Sequence, residues 1–243
     1  MRRGIFFRRE SMIKPKMARP KSLRVVTFID AMNLFNQAKR CWGYPFPNYD
    51  PILLSEKIGL RYPNRVLKNV RLYTGIPKPG KDRERYWFWK NKIKEHSKDA
   101  RFYAYETPLA YSIEDVPVED PTTGGITLQP TEIAREKGTD VQIGIDLYKL
   151  ADTNQYDVAV VFSQDRDLIG AVNSVIDIKN QTGRLIYLEC AFPDDTALPR
   201  HYRRGIPNTK WIPISKTDYD ACIDSNYYRP RPLPSTENLF EDK

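Results

Sequence analysis

The stretch that decides the fold is residues 137–168, KGTDVQIGIDLYKLADTNQYDVAVVFSQDRDL. The apolar spacing over Val141–Ala151 is typical of an amphipathic helix that packs on a sheet. The continuous apolar run Val158–Phe162 predicts a parallel strand that is buried on both faces. A polar loop with Asp165 and Asp167 follows this strand directly. Helix, buried strand and polar loop together form the repeating unit of an α/β protein.

Further segments of strand length lie on both sides of this stretch. They are residues 23–29 (LRVVTFI), 68–74 (KNVRLYT), 101–106 (RFYAYE), 184–190 (RLIYLEC) and 210–215 (KWIPIS). Helical patterns alternate with most of them, as the crossovers between parallel strands require. The sequence therefore predicts a three-layer, Rossmann-like α/β domain with a mainly parallel central sheet of about five strands flanked by helices.

Composition divides the chain into one domain and two tails. Residues 1–22 form a basic arm that we expect to be flexible, residues 23–215 form the domain, and residues 216–243 form a polar, Pro-rich tail. Residues 107–131 carry several Pro, Gly and Thr residues, with TTGG as a turn. We interpret this segment as an insertion or hairpin within the domain.

The formal net charge is +8, and all of it lies in the first 24 residues, since the rest of the chain is neutral. Basic arms of this kind can hold nucleic-acid phosphates, but solvated basic tails are also common. Met12 and Met17 are alternative starts of the chain, and a start at Met17 would remove much of this charge. The charge alone is therefore a weak argument for RNA binding.

The remaining composition indicates a soluble protein. The longest apolar run falls far short of the roughly 20 residues that a membrane span needs, and the N-terminus lacks the pattern of a signal peptide. Cys41, Cys190 and Cys222 are spaced too widely for a zinc site or a disulfide framework. We expect a cytoplasmic protein with no membrane partner, and a homo-oligomer is compatible with the sequence.

Polar residues follow two of the predicted strands at the point where each strand ends. Asp30 and Asn33 follow the first strand, and Ser163, Asp165 and Asp167 follow the central one. Because sites in open α/β sheets form beyond the carboxyl ends of the strands, we expect these side chains to share one edge. Helix capping would explain Asp30, but it would not explain Asn33.

Two aspartates on the predicted helix, Asp140 and Asp146, are a further source of carboxylates. Their six-residue separation places them about 120° apart around a helix that turns roughly 100° per residue, so both cannot point at one ion in a regular helix. Asp140 is also a natural helix cap. Asp146 is either exposed or a buried carboxylate that needs a partner. The sequence leaves open which of the two belongs to the site.

Carboxylate, amide and hydroxyl oxygens are the ligands that hard cations such as Mg²⁺ and Mn²⁺ prefer. Such ions bring charge to a phosphodiester, activate water and stabilise the departing oxygen. The two histidines, His96 and His201, lie far from the acidic loops in the sequence, which disfavours a zinc hydrolase. The residue set therefore predicts metal-dependent phosphodiester chemistry.

The predicted helix over residues 82–98 alternates aromatic and basic residues. Aromatic and cationic side chains together bind single-stranded nucleic acids, although aromatic residues at helical spacing are more often part of a core. Arg83 and Arg85 are among the basic positions, and Trp87 is the aromatic residue that the spacing leaves on the surface.

Three motifs resemble the NYN domain family, the LabA-like branch of the PIN-like nucleases. They are FIDAMNL (28–34), KGTDVQIGIDLYKLA (137–151) and YDVAVVFSQDRDLIGAV (156–172). The resemblance spans about residues 23–190 in the order of the family. It implies a PIN-like fold in which acidic residues bind a divalent metal, and many members are ribonucleases. Gln164 stands where the family frequently has Gly, and Leu168 stands where an aromatic residue is common.

The resemblance also implies a set of site residues. The candidate catalytic residues are Asp30, Asn33, Asp140, Asp146, Ser163, Asp165 and Asp167. The candidate ligands of Mg²⁺ or Mn²⁺ are Asp30, Asp140, Asp165 and Asp167. The candidate RNA contacts come from the charged and aromatic residues themselves and not from the resemblance; they are Lys137, Arg166, Arg83, Arg85 and Trp87.

We therefore predict a metal-dependent endoribonuclease, with two alternatives. A non-catalytic RNA-binding or regulatory protein on the same fold would bind RNA without metal and leave it intact. Phosphoryl transfer through an aspartyl nucleophile at Asp30 is a weaker alternative, because DAMN has no second carboxylate two residues further on.

Overall fold

The computed structural model describes residues 22–119, 124–226 and 228. The strands are β1 (Leu23–Asp30), β2 (Arg65–Ile76), β3 (Phe102–Pro108), β4 (Ala110–Glu119), β5 (Ile126–Arg135), β6 (Val158–Phe162), β7 (Tyr187–Pro193) and β8 (Lys210–Ile214). The α-helices are α1 (Ala31–Trp42), α2 (Pro51–Gly59), α3 (Arg83–His96), α4 (Thr139–Asp152), α5 (Ile169–Thr182) and α6 (Lys216–Asp220). Within these described ranges, no helix has the length and apolar character to cross a membrane.

Six of the strands form one sheet in the order β3-β2-β1-β6-β7-β8, and every neighbouring pair in it is parallel. The chain runs outward from β1 through β2 to β3, returns to β6 on the other side of β1, and continues outward to β8. This confirms the predicted three-layer α/β fold, with six parallel strands where we expected about five. The strand order reverses between β1 and β6, and ligands of open α/β sheets bind beyond the carboxyl ends of the strands at such a point.

Alternate side chains of the central strands face two layers of helices. Val25 and Ile29 of β1 belong to a core cluster with residues of α1, α2 and α3. Val26 and Phe28 belong to a second cluster with residues of α4 and α5. Strand β6 is buried along its whole length, in agreement with its unbroken apolar run. Burial on both faces fixes the register of β1 and β6, because a shift by one residue would exchange the two faces.

Strands β4 and β5 form a separate antiparallel hairpin. It occupies the segment that we expected to be an insertion or hairpin, and its paired residues run from Ala110 to Arg135. Residues 120–123, which include half of the predicted TTGG turn, lie outside the described residues. Apolar side chains on the hairpin are strongly exposed, with Ile113 and Ile126 at 76% and 75%. The hairpin therefore adds little to the core and delivers the chain to the beginning of α4.

The chain beyond Lys216 differs from the loose tail that we expected, as far as it is described. Helix α6 buries Tyr219, and Tyr228 is also buried. Asp224 lies 3.0 Å from Lys92 Nζ and 3.0 Å from His96 Nε2, and it accepts a hydrogen bond of 2.7 Å from Tyr228. The polar composition concealed this packing, because its charged residues find their partners only in the tertiary fold. The predicted arm (1–21) and the tail beyond 228 lie outside the described residues.

The ion pair between Lys92 and Asp224 is buried, with side chains 1% and 3% exposed. Burial alone would raise the pKa of Asp224, but His96, Lys92 and Tyr228 lower it well below its ordinary value. The charged carboxylate therefore holds the C-terminal segment against α3.

We expect Asp224→Ala to lower the free energy of unfolding by about 3–5 kcal/mol, because it leaves the charge of Lys92 buried without its partner. Denaturant unfolding at neutral pH measures this loss. The matched control is Asp177→Ala on the exposed face of α5, which should change stability by less than about 0.5 kcal/mol. Equal stability of the two variants would contradict an anchoring role for the segment.

Candidate active site

Asp30 is the last residue of β1 and the N-cap of α1. Its Oδ1 accepts a hydrogen bond of 3.0 Å from the backbone N of Asn33, and its Oδ2 accepts one of 3.2 Å from Ser163 Oγ. The residue is only 9% exposed. Burial raises the pKa of Asp30 to about 7; the charges of Glu136 and Asp165 act in the same direction, and the two hydrogen bonds oppose them.

The register of β1 and β6 brings Ser163 next to Asp30. Ile29 pairs with Phe162 as the last pair of the ladder, so the next residue of each strand lies at the same edge. Ser163 is buried, and its Oγ accepts a hydrogen bond of 3.1 Å from the backbone N of Asp165. A single hydroxyl therefore links the carboxylate of one strand to the loop that follows the other.

Asn33 makes a second link between the two strand ends. Its Oδ1 accepts a hydrogen bond of 2.9 Å from the backbone N of Gln164. Helix capping did not explain why an asparagine stands at position 33, and this contact explains it. Asn33 holds the loop after β6 against the first turn of α1.

An open cleft of about 310 Å³ lies beyond these strand ends. It is lined by Asp30, Asn33, Asn36, Glu136, Thr139, Asp140 and Asp165. Burial raises the pKa of Glu136, and the charge of Asp140 adds to this effect. Glu136 Oε1 and Thr139 Oγ1 are buried, and neither atom completes a hydrogen bond of good geometry with a described residue, although Thr139 and the backbone of Gly75 lie close enough to lower the pKa of Glu136. The cleft therefore gathers four carboxylates, two of which have raised pKa values.

The donor set of this cleft fits a hard divalent cation. All of its side-chain donors offer oxygen, which Mg²⁺ and Mn²⁺ prefer. A bound cation would stabilise the ionised form of Asp30 and would satisfy the buried oxygen of Glu136. No three carboxylates of the described cleft have oxygens within 4.8 Å of one another. Water-bridged ligands suit this spacing, because Mg²⁺ usually keeps several of its waters.

Asp140 and Asp167 lie at different distances from the centre of the cleft. Asp140 is half-buried and lines the cleft as the second residue of α4. It does not cap the helix, because the N-cap is Gly138 with a positive φ of 80°. Asp167 is exposed and is absent from the lining; its backbone N donates a hydrogen bond of 2.9 Å to Asp165 Oδ1. This contact uses only the backbone of Asp167, so the role of its carboxylate stays a prediction.

Asp146 lies outside the cleft. Its Oδ2 accepts hydrogen bonds of 2.8 Å from Arg71 Nη2 and 2.8 Å from Tyr73 Oη, and its Oδ1 accepts one of 3.0 Å from Gln142 Nε2. Both oxygens are thus occupied by protein donors, as a buried carboxylate requires. Of the two aspartates that the sequence could not separate, the structure brings Asp140 to the cleft and joins Asp146 to β2.

The candidate RNA contacts are exposed and lie in two places. Lys137 directly follows Glu136, and Arg166 lies between Asp165 and Asp167 in the loop after β6. Arg83, Arg85 and Trp87 lie on α3, where Trp87 is 41% exposed. Among them, Arg85 also lines a cavity of about 410 Å³ between α1 and α3, and its charge lowers the pKa of Glu136.

A different group of potential metal ligands lies beneath the C-terminal segment. Atoms of Asp50, His96 and Asp224 all lie within 4.8 Å of one another. Lys92 Nζ, however, already binds Asp224 and lies 2.6 Å from the carbonyl oxygen of Tyr49. The ammonium group supplies the positive charge that a metal ion would otherwise bring. We therefore assign Asp50, His96 and Asp224 a structural role and not a metal site.

Sequence reasoning missed Glu136, Asn36 and Thr139 as members of the cleft. Glu136 follows the hairpin strand β5, which does not belong to the parallel sheet. The search for polar residues at the ends of parallel strands therefore did not find it. Its place depends on Gly75, where a Cβ would lie 2.4 Å from Leu109 and 3.1 Å from the carboxyl group of Glu136. The available signal was its position next to Lys137 and Gly138 at the beginning of the acidic helix.

A comparison with family models shows which family the chain belongs to. The NYN domain family matches residues 24–177, and the chain therefore belongs to the NYN domain family. Its members are usually nucleases and generally use divalent metals. No curated protein matches the chain.

One solved structure is similar over most of the chain. It is the crystal structure of a protein of unknown function, VPA0982, from Vibrio parahaemolyticus RIMD 2210633. The two share 12% sequence identity, with 84% of this chain and 99% of the other covered and a TM-score of 0.47. At this level the likeness carries no argument about this chain.

The raised pKa of Asp30 predicts an unusual dependence of stability on pH. Because the folded state keeps the proton of Asp30 up to about pH 7, and the unfolded state loses it near pH ~4, the free energy of unfolding falls as the pH rises between these values. In metal-free buffer at pH 8, we expect Asp30→Asn to be more stable than the wild type by at least ~1 kcal/mol.

This difference should disappear at pH ~3, where the carboxyl is protonated in both the folded and the unfolded state. Denaturant unfolding of both proteins at the two pH values measures it, with Asp177→Asn as the exposed control. If Asp30→Asn and Asp177→Asn show the same dependence on pH, Asp30 has no raised pKa.

Proposed function

We propose that the protein is a metal-dependent endoribonuclease. The observation that carries the proposal is the convergence of Asp30, Glu136, Asp140 and Asp165 on one cleft at the β1–β6 border. Membership of a family whose members are usually nucleases supports it. Burial raises the pKa values of Asp30 and Glu136, and the neighbouring carboxylates add to this effect. A bound divalent cation would neutralise such a site.

In this proposal Asp30, Asp140 and Asp165 hold Mg²⁺ or Mn²⁺, and Glu136 completes the set of oxygens. A divalent ion held there would activate water and stabilise the charge on the departing oxygen. Ser163 and Asn33 position the catalytic groups by the hydrogen bonds that they make to Asp30 and to the loop after β6.

RNA is the proposed substrate, and the cations around the cleft are its proposed contacts. Lys137 and Arg166 are exposed directly beside cleft residues, where they would neutralise phosphates. Arg85 would contact the RNA from the side of the cleft where α3 lies. The alternative function, RNA binding without cleavage, has one observation in its favour: no three described carboxylates of the cleft have oxygens that all lie within 4.8 Å of one another.

Cleavage of a mixed RNA pool distinguishes these two functions. We expect cleavage to require Mg²⁺ or Mn²⁺ and to fall by at least about 100-fold in Asp165→Asn, since a lost ligand removes transition-state stabilisation of ~2.7 kcal/mol or more. Asp177→Asn, which alters an exposed residue of α5, should retain full activity. If the wild type binds RNA but leaves it intact in either metal, the protein is an RNA-binding protein and not a nuclease.

The two helix aspartates predict opposite outcomes. Asp140→Asn should lower cleavage by at least about 10-fold with little loss of stability, because Asp140 is half-buried and pairs with no described basic group. Asp146→Asn should lower the free energy of unfolding by about 1–3 kcal/mol, because it removes the ion pair with Arg71. Parallel measurements of activity and thermal unfolding test the assignment, which fails if Asp146→Asn loses activity without losing stability.

A further inference from the structure

Gln164 ties the loop after β6 to a second loop, which lies beyond the residues 24–177 that the family match covers. Its side-chain Nε2 donates hydrogen bonds of 2.9 Å to the carbonyl oxygens of both Tyr202 and Arg204. The loop that carries Asp165 is therefore fixed to the segment that carries Arg204.

A pocket of about 220 Å³ lies where these two loops meet. It is lined by Arg166, Arg204, Gly205, Pro207 and Trp211. The lining contains two guanidinium groups, one indole and no acidic side chain. Arg166 is the direct sequence neighbour of Asp165, so the pocket flanks the acidic cleft.

The indole of Trp211 is held in place while 45% of the residue remains exposed. Its Nε1 donates a hydrogen bond of 2.9 Å to the carbonyl oxygen of Ile206, and its edge packs against Phe192 with ring centroids 6.4 Å apart. A Cβ at Gly205 would lie 2.8 Å from Trp211 Cδ1 and 2.8 Å from Cys190 Sγ. Only glycine allows the loop to pass this close to the indole.

Neither guanidinium of the pocket has a protein partner among the described residues. The side chains of Arg166 and Arg204 are exposed and form no ion pair or side-chain hydrogen bond there. The neighbouring Arg203 contrasts with them, because it binds both oxygens of Asp194 at 2.6 and 2.9 Å. Two adjacent unpaired arginines beside an exposed indole form a surface that complements a phosphate and an aromatic base.

We propose that this pocket binds a nucleotide of single-stranded RNA next to the phosphodiester that the acidic cleft receives. The base stacks on Trp211, and the adjoining phosphates contact Arg166 and Arg204. Gln164 is a positioning residue that keeps the pocket in register with Asp165. The proposal rests on the proposed ribonuclease function for its choice of RNA, and it names the part of the surface that binds the strand beyond the cleavage site.

Fluorescence anisotropy with a short, labelled, single-stranded RNA in EDTA tests the pocket separately from cleavage. Trp211→Ala should weaken binding about 5-fold or more, because base–aromatic stacking contributes at least ~1 kcal/mol, and Trp211→Phe should retain most of the affinity. Arg204→Ala should weaken binding and reduce the slope of log K against log salt by about 0.7, the value for one phosphate contact on a single strand. Trp211→Ala should leave this slope unchanged.

The matched control is Lys68→Ala, which removes an exposed cation near the amino end of β2, at the opposite edge of the sheet. Wild-type affinity in both Trp211→Ala and Arg204→Ala, or losses no larger than that of Lys68→Ala, would overturn the proposal. So would a wild type that binds no RNA. If the pocket variants lose affinity but the wild type cleaves no RNA with Mn²⁺, the pocket stands and the ribonuclease function fails.

Discussion

The parallel pairing of β1 with β6 is the constraint on which the rest of the structure depends. Both strands are buried on both faces, so their register admits no shift that keeps the core intact. That register sets Asp30 beside Ser163 at the one border where the strand order reverses. The hydrogen bond between them is consequently a product of core packing, and the polar site inherits its geometry from the apolar interior.

The same burial makes the ionised carboxylates of the site unfavourable in the protein without a bound cation. Asp30 lies in a desolvated position with the charges of Glu136 and Asp165 nearby, and its pKa rises to about 7 for that reason. Glu136 is also largely desolvated, and burial raises its pKa. Elsewhere the chain pairs its buried acids, as Asp146 with Arg71 and Asp224 with Lys92. Carboxylates that lack such partners mark the place where an external cation would contribute most.

Two features of this chain extend beyond the region that the family match covers. The proposed nucleotide pocket and the C-terminal segment that packs on α3 both involve residues beyond 177, where the match ends. The hairpin lies within the match, but it presents an exposed surface and delivers Glu136 to the cleft. Gln164 connects the matched region to the segment beyond it, since Gln164 lies within residues 24–177 and its side chain donates a hydrogen bond to the loop after β7.

The amino-acid sequence by itself determined the α/β class, the buried strand β6 and the acids at the ends of β1 and β6, because each follows from local periodicity and from the residue after a strand. It could not separate Asp140 from Asp146, since both lie on one helix. They differ in the tertiary structure, where Arg71 and Tyr73 of β2 donate hydrogen bonds to Asp146. The sequence also could not place Glu136, Arg204 or Trp211 near the acids, because they come from a hairpin, a loop and an edge strand with no shared pattern. Only the tertiary structure decided these positions, since they depend on which distant segments the parallel sheet brings to the same edge.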